Sequence, residues 1–403
     1  MPGVRSVSIG IWLRRGSRDE PKKLNGASHF IEHLVFKGTE SRSARQIALE
    51  MDSIGGQMDA FTSKEYTCFY AKVLDQHLEQ AVDLLADIVQ RPLFDAEELE
   101  RERQVVLEEI QMIDDNAEEV IYDQFADWFF PTHPLGRPIQ GTEASVAALT
   151  RRQLLNFFRG VYRPENMLVV AAGNLEHREL YNQVKRAFAS LEPGPTPKPR
   201  RAPKRVRRGA LLSEKKELGQ MHLLMGLPVF PPDERSRDAL YVLNALLGGT
   251  MSSRLFHKIR EERGLVYSVY SAVNGFADNG LLAIYAGTSP QKAREVIDLI
   301  VAELRDLRDR GASAEELLVA KEHLKGSLML ALESTSSRMS NLARQEMYQK
   351  RHRTLAATLR GIDRVGLSQI HEVAQRLAEG KELSLAALGR VKRLKLDEGA
   401  LRL

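Results

Sequence analysis

The chain has 403 residues, of which 43% are hydrophobic and 28% are charged. This composition is typical of a globular protein with two to three domains. The longest apolar runs fall well short of the about 20 residues that a membrane-spanning helix needs. The N-terminus has no basic segment followed by an apolar one, so we predict neither a membrane anchor nor a signal peptide. The single cysteine, Cys68, excludes an intrachain disulfide and is compatible with a reducing compartment, so we expect a cytoplasmic protein.

The net charge of +4 has a local source. Seven Lys and Arg residues lie between Lys198 and Arg208, and the rest of the chain without them has a net charge of −3. The sequence shows no basic face with interleaved aromatic residues, which is the pattern of nucleic-acid-binding proteins. The basic run therefore indicates a solvated linker, and we expect no nucleic-acid partner.

Helices and strands alternate along the chain. Hydrophobic periodicity predicts strands over residues 7–13, 66–74, 166–172, 221–227, 266–273 and 281–286, and helices over residues 25–36, 44–54 and from residue 95 onward. A Pro- and Arg-rich segment, residues 191–209, is predicted to be a linker because proline removes backbone donors. It separates residues 1–190 from residues 210–403.

The two halves resemble each other. At an offset of 211, residues 29–39 align with residues 240–250, and at an offset of 218, residues 96–110 align with residues 314–328. Two matches in the same order favour a duplication. We therefore predict an α+β protein made of two similar domains.

The segment His29-Phe30-Ile31-Glu32-His33 contains candidate metal ligands and a candidate general base. Histidines four residues apart lie on one face of a helix, where both imidazoles can bind one metal ion. A catalytic zinc takes three protein ligands and water. Glu32 lies near the same face and can act on that water without being a ligand.

A third ligand has to come from elsewhere in the chain. The segment from residue 98 to residue 109 offers several carboxylates: Glu98, Glu100, Glu102, Glu108 and Glu109. Glu102 and Glu109 are two helical turns apart on one face, and apolar neighbours indicate that this helix packs inward. Spacing alone does not choose between these two.

The His-x-x-Glu-His motif is the signature of the inverzincins. Around it, GASHFIEHLVFKGTESRS resembles the family of pitrilysin, insulin-degrading enzyme and the mitochondrial processing peptidase β subunit, and the similarity extends over almost the whole chain. The resemblance implies Glu109, 76 residues after His33, as the third ligand of one zinc ion per chain. It implies that Glu102 supports the site without binding the metal.

Further matches lie outside the motif. Residues 55–74 resemble the edge strand along which the family binds its substrate, which implies substrate contacts at Asp59, Ala60 and Phe61. In the second half, Arg260 and Tyr267 match the family's Arg and Tyr near the scissile bond. That half lacks the His-x-x-Glu-His motif, so it resembles the family's noncatalytic domain.

Two features depart from the family pattern. Asp59 stands where the family often has Asn, beside the expected path of the substrate. The chain also begins at a strand that is usually the second, so we expect the catalytic domain to lack its usual first strand.

The resemblance implies two α/β sandwich domains, each a mixed and largely antiparallel sheet with helices packed on it. It implies a zinc metalloendopeptidase that hydrolyses unfolded peptides or oligopeptides. Two chains, as a homodimer or with an inactive paralogue, would then form one chamber, with Arg260 and Tyr267 entering the active site in trans. The alternative is a noncatalytic structural or partner subunit, a class that usually loses the set His29, Glu32, His33 and Glu109. No nucleophile elbow, P-loop or dinucleotide-binding motif points to another enzyme class.

Overall fold

The computed structural model describes residues 1, 3–195, 202–203, 205–229 and 234–403, with the backbone alone for residues 234 and 235. Residues 196–201 and 204 of the predicted linker lie outside the described residues. The strands are β1 (Ser6–Leu13), β2 (Gln57–Thr62), β3 (Thr67–Leu74), β4 (Met167–Gly173), β5 (Gly209–Glu214), β6 (Met221–Val229), β7 (Val266–Gly275), β8 (Gly280–Thr288) and β9 (Ser384–Gly389).

The α-helices include the predicted ones, with ends that differ by a few residues. They are α1 (Ala27–Leu34), α2 (Ala44–Ser53), α3 (Leu78–Gln90), α4 (Ala96–Asp115), α5 (Ala117–Phe129), α6 (Glu143–Ala148), α7 (Arg151–Val161), α8 (His177–Ala187), α9 (Glu234–Asn244), α10 (Ala293–Arg310), α11 (Ala314–Ala331), α12 (Thr335–Gln349), α13 (Leu355–Asp363) and α14 (Leu367–Ala378). Among the described residues, no helix is both long and apolar enough to cross a membrane.

The chain forms two compact units that do not follow the two halves of the sequence. The first unit comprises Met1–Met112, Arg137–Arg200 and Leu330–His352, and the second comprises Ile113–Gly136, Arg201–Met329 and Arg353–Leu403. Helix α5 of the first half thus belongs to the second unit, and helix α12 of the second half belongs to the first.

The first unit contains an antiparallel sheet in the order β2-β3-β1-β4. One face packs on α1, α3, α4 and α7 through a core that includes Phe30, Phe69 and Val106, all fully buried. Strand β2 lies at the edge of this sheet, next to α1. The sheet therefore places an open strand edge beside the helix that carries the His-x-x-Glu-His motif.

Helix α12 covers the other face of this sheet. Met339 and Ala343 pack with Trp12 and Cys68 in a small buried cluster. The buried hydroxyl of Ser8 in β1 makes hydrogen bonds to the hydroxyls of Thr335 and Ser336, at 2.8 and 2.9 Å. These contacts satisfy the buried hydroxyl of Ser8, and together with the apolar cluster they make α12 part of the first unit's core.

The second unit contains a sheet in the order β5-β9-β6-β8-β7, in which β5 and β9 are parallel and the other pairs are antiparallel. One face packs on α9, α10 and α14, and α5 covers the other. The order β7-β8-β6-β9 repeats β2-β3-β1-β4, and β5 has no counterpart among the described strands of the first sheet. Two α+β units with the same strand order confirm the predicted fold class.

Candidate active site

Helix α1 begins at a glycine that no other residue could replace without strain. Gly26 has φ of +94°, and a Cβ atom there would lie 2.6 Å from the carbonyl oxygen of Gln140. Since glycine offers no capping side chain, the buried carboxylate of Glu20 accepts hydrogen bonds from the backbone N–H groups of Gly26 and Ser28, at 2.9 and 2.7 Å. Glu20 thereby anchors the N-terminus of the motif helix and complements its positive end.

Three predicted ligands converge between α1 and α4. The Nε2 atoms of His29 and His33 lie 3.6 and 3.5 Å from Oε2 of Glu109. Two donor atoms that each lie about 2.1 Å from one zinc ion at tetrahedral angles are about 3.4 Å apart, so the donors fit such an ion. Among the described residues, these three form a group that could bind a metal ion. Their donor atoms all lie within 4.8 Å of one another.

Glu102 lies behind His33. Its Oε2 atom is 3.2 Å from Nδ1 of His33, and its Oε1 atom accepts a hydrogen bond from the ammonium of Lys37 at 2.7 Å. The side chain of Glu102 is only 6% exposed. A carboxylate on the far nitrogen of a histidine holds Nε2 toward the metal and makes the imidazole a stronger ligand.

His29 is suited to ligation because burial keeps it neutral. Burial and the nearby His33 lower the pKa of His29 to about 4. A histidine must be neutral to bind a metal ion, so little free energy is needed to remove a proton at neutral pH. Within the described part of the chain, its Nδ1 atom is buried without a hydrogen-bond partner.

Glu32 lies on the same helix with its carboxylate against the end of β2. The hydroxyl of Thr62 donates a hydrogen bond to its Oε2 atom. Burial raises the pKa of Glu32 to about 7, while the Thr62 hydrogen bond and His33 act in the opposite direction. A carboxyl group that titrates near neutral pH can both accept a proton from water and give it back.

The predicted substrate residues lie on the edge strand β2. Asp59 turns back on its own backbone: its Oδ1 atom accepts a hydrogen bond from the N–H of Ala60 at 2.8 Å, and Oδ2 lies 3.4 Å from the hydroxyl of Tyr70. Phe61 packs its ring against Trp12, with centroids 5.6 Å apart. The structure thus places Asp59 and Ala60 along the open edge and anchors Phe61 in an aromatic cluster.

Arg260 and Tyr267 belong to the second unit. The Arg260 guanidinium carbon lies 5.7 Å from the ring centroid of Tyr267 and 4.9 Å from that of Phe256. Tyr267 is 77% exposed, and Arg260 makes no ion pair with any described residue. Arg260 sits in a π-helical turn, Phe256–Glu261, a rare conformation that is frequent at functional sites.

The sequence interpretation missed three polar residues around the site: Glu20, Lys37 and Thr62. Lys37 follows His33 by four residues, so helical spacing could have indicated that it lies near the same face. Thr62 alternates with Ala60 along β2, which could have placed both on one side of the strand. Nothing in the sequence pattern links Glu20 to α1, because a carboxylate in a preceding loop carries no spacing signal.

Comparisons with known proteins match both parts of the chain to domains of peptidase family M16. Residues 1–143 match the family model "Insulinase (Peptidase family M16)", and residues 148–324 match "Peptidase M16 inactive domain". An uncharacterized zinc protease of Mycobacterium leprae is 43% identical over 392 residues, which cover 96% of this chain and 88% of that protein. The uncharacterized zinc protease YmxG of Bacillus subtilis is 41% identical over 376 residues, which cover 93% and 91% of the two chains.

The fold is also similar to that of solved structures. A crystal structure described as a peptidase M16 inactive domain from Pseudomonas fluorescens superposes with a TM-score of 0.90 at 20% identity, covering 96% of this chain and 93% of the other. The chain belongs to peptidase family M16, as the resemblance of its sequence implied. Membership and the names of the relatives support a function of the zinc-peptidase type.

Proposed function

We propose that this member of peptidase family M16 is a zinc metalloendopeptidase that hydrolyses peptide bonds in unfolded peptides or oligopeptides. The observation that carries the proposal is the convergence of His29, His33 and Glu109 around a position of zinc-ligand spacing, with the carboxylate of Glu32 on the same helix. We propose one zinc ion per chain, held by this group, the one that the described residues offer. A cytoplasmic location is part of the proposal.

The metal ligands and Glu32 have different roles in the proposed hydrolysis. A zinc ion held by His29, His33 and Glu109 would supply Lewis acidity, which would polarise the scissile carbonyl and make water acidic enough to lose a proton near pH 7. Glu32 takes that proton as the water oxygen bonds to the carbonyl carbon. As the C–N bond breaks, Glu32 returns the proton to the leaving nitrogen.

Strand β2 offers a binding surface for an extended peptide. It is the edge strand of the first unit's sheet, and its last residue, Thr62, touches Glu32. A peptide added as a strand gains main-chain hydrogen bonds at any sequence, which favours broad specificity and unfolded substrates. To use the Ala60 N–H, the substrate must displace the Asp59 carboxylate that now accepts its hydrogen bond.

We further propose that the active site is completed by a second chain, either another copy or an inactive paralogue. Arg260 and Tyr267 support this because they form a cation–π pair, with an exposed tyrosine ring, in the unit that lacks the metal ligands. An arginine and a tyrosine together could position a substrate or stabilise the developing oxyanion.

A noncatalytic partner subunit is the second candidate, because one family model and one solved neighbour carry the description "inactive domain". In this chain that model covers residues 148–324, outside the His-x-x-Glu-His motif. The complete ligand set and Glu32 favour the enzyme.

The test is cleavage of a quenched fluorescent peptide library by the purified full chain. We expect cleavage that a chelator abolishes and that zinc restores, and that is lost in Glu32→Gln. Glu108→Gln is the matched control, because Glu108 is an exposed carboxylate next to the ligand Glu109. Zinc binding without cleavage of any peptide would mean either that the chain needs a paralogue to complete its active site or that it is itself a noncatalytic partner subunit.

A further inference from the structure

The hairpin between β2 and β3 makes hydrogen bonds to the segment that precedes α1. The backbone N–H groups of Ser17 and Arg18 donate to the carbonyls of Ser63 and Lys64, at 3.1 and 2.7 Å. The guanidinium of Arg18 makes a buried ion pair with Glu65 at 2.5 Å. These contacts fix the end of β2 independently of any hydrogen bond to α1.

Helix α12 adds to this support. The Tyr348 hydroxyl donates a hydrogen bond to Glu65, and burial together with the negative charge of Glu65 raises the pKa of that hydroxyl. The rings of Tyr348 and Tyr66 also meet edge to face, with centroids 6.5 Å apart. The hairpin is therefore contacted both by Arg18, near the start of the chain, and by Tyr348 of α12.

Thr62 and Thr67 face each other across the base of this hairpin. Their hydroxyl oxygens are 3.5 Å apart, and the Thr67 hydroxyl donates a hydrogen bond to the carbonyl of Arg15 at 3.3 Å. An ionised carboxylate can only accept hydrogen bonds, so the Thr62 hydroxyl donates its proton to Oε2 of Glu32. Hydrogen bonds from a hydroxyl to a carboxylate are short and strong.

We infer that Thr62 is a positioning residue for the general base: its hydroxyl, fixed by the hairpin, holds one oxygen of Glu32 and turns the other toward the water. The inference rests on the proposed function. Glu32 is a flexible side chain on a short helix, and a general base acts only within hydrogen-bond reach of the proton it takes. Without Thr62, the carboxylate would rotate away from that position for part of the time.

The two substitutions that separate the hydroxyl from the shape of the side chain are Thr62→Val and Thr62→Ser. Valine keeps the branched shape and removes the donor, whereas serine keeps the donor. A hydrogen bond to a charged group corresponds to a loss of roughly 10- to 100-fold. We expect Thr62→Val to lower kcat by that factor, with KM and zinc affinity within about twofold of the wild type. We expect Thr62→Ser to restore most of kcat.

Thr67→Val is the matched control, since it removes the facing hydroxyl, which does not touch Glu32. Thermal unfolding and zinc titration of each variant establish folding and metal binding independently of activity. Crystal structures of the wild type and Thr62→Val give a further readout, in which the Glu32 carboxylate should leave its wild-type orientation.

Three results would overturn the inference: a Thr62→Val enzyme with wild-type kcat, a Thr62→Ser enzyme as slow as Thr62→Val, or a loss in zinc affinity as large as the loss in kcat. An equal loss in Thr67→Val would assign the effect to the hairpin and would also overturn it. If the wild type itself cleaves no peptide with zinc present, the proposed function fails. If it cleaves and Thr62→Val matches it, only the role of Thr62 fails.

Discussion

Removal of the Glu102 carboxylate should weaken zinc binding without removing a ligand. Glu102 holds Nδ1 of His33 at 3.2 Å and the ammonium of Lys37 at 2.7 Å, and it is buried. In Glu102→Ala, the imidazole loses the partner that fixes its orientation. Loss of such an outer partner typically costs about 10- to 100-fold in metal affinity, or roughly 1.4–2.7 kcal/mol.

The assay is competition for zinc against a chromophoric chelator at fixed pH. Glu102→Gln should lose less affinity than Glu102→Ala, because its amide oxygen can still accept from His33 while the pairing with Lys37 is lost. Glu108→Gln, on the exposed side of the same helix, should bind zinc like the wild type. If Glu102→Ala binds zinc within twofold of the wild type, the argument that Glu102 orients His33 is refuted.

Three further outcomes follow from the first unit. Glu20→Ala leaves the N–H groups at the start of α1 without their buried acceptor, so urea unfolding should show a loss of about 1–3 kcal/mol; an unchanged midpoint would contradict this anchoring role. Met339→Ala opens a cavity between α12 and the sheet, and the same assay should show a loss of about 2–5 kcal/mol; a loss below 1 kcal/mol would mean that α12 is not part of this core. In chelator-treated protein, the pKa of His29 in the folded state is about 4, below its ordinary value of 6.5. Between these two pH values the unfolded chain therefore binds more protons than the folded chain. The free energy of unfolding should fall as the pH is lowered from 6.5 to about 4. Thermal unfolding at several pH values should show a smaller fall in His29→Gln, and equal slopes would refute the assignment.

The local part of the site could be predicted because it depends on helical geometry alone. Residues at i, i+3 and i+4 share a helix face in any fold, so His29, Glu32 and His33 could be grouped without a structure. Spacing also put Glu102 and Glu109 on one face of α4, and the structure brings each of them to a histidine. Only the family resemblance favoured Glu109 as the ligand.

The long-range part of the site could not be predicted. The amphipathic pattern of α12 shows that it packs on something, but it does not identify a sheet more than 150 residues earlier in the chain. The same holds for α5, which packs on the second sheet. The contact between Thr62 and Glu32 depends on the register of β2 beside α1, which the turn and the packing set together.

The most direct test of the account is to measure bound zinc and peptide turnover in the same preparations of the wild type, Glu32→Gln and Glu109→Gln. The account predicts that the wild type holds one zinc and cleaves, that Glu32→Gln holds one zinc and does not cleave, and that Glu109→Gln loses both at the same free zinc concentration. Cleavage by Glu32→Gln at the wild-type rate, or unchanged zinc affinity in Glu109→Gln, would contradict it.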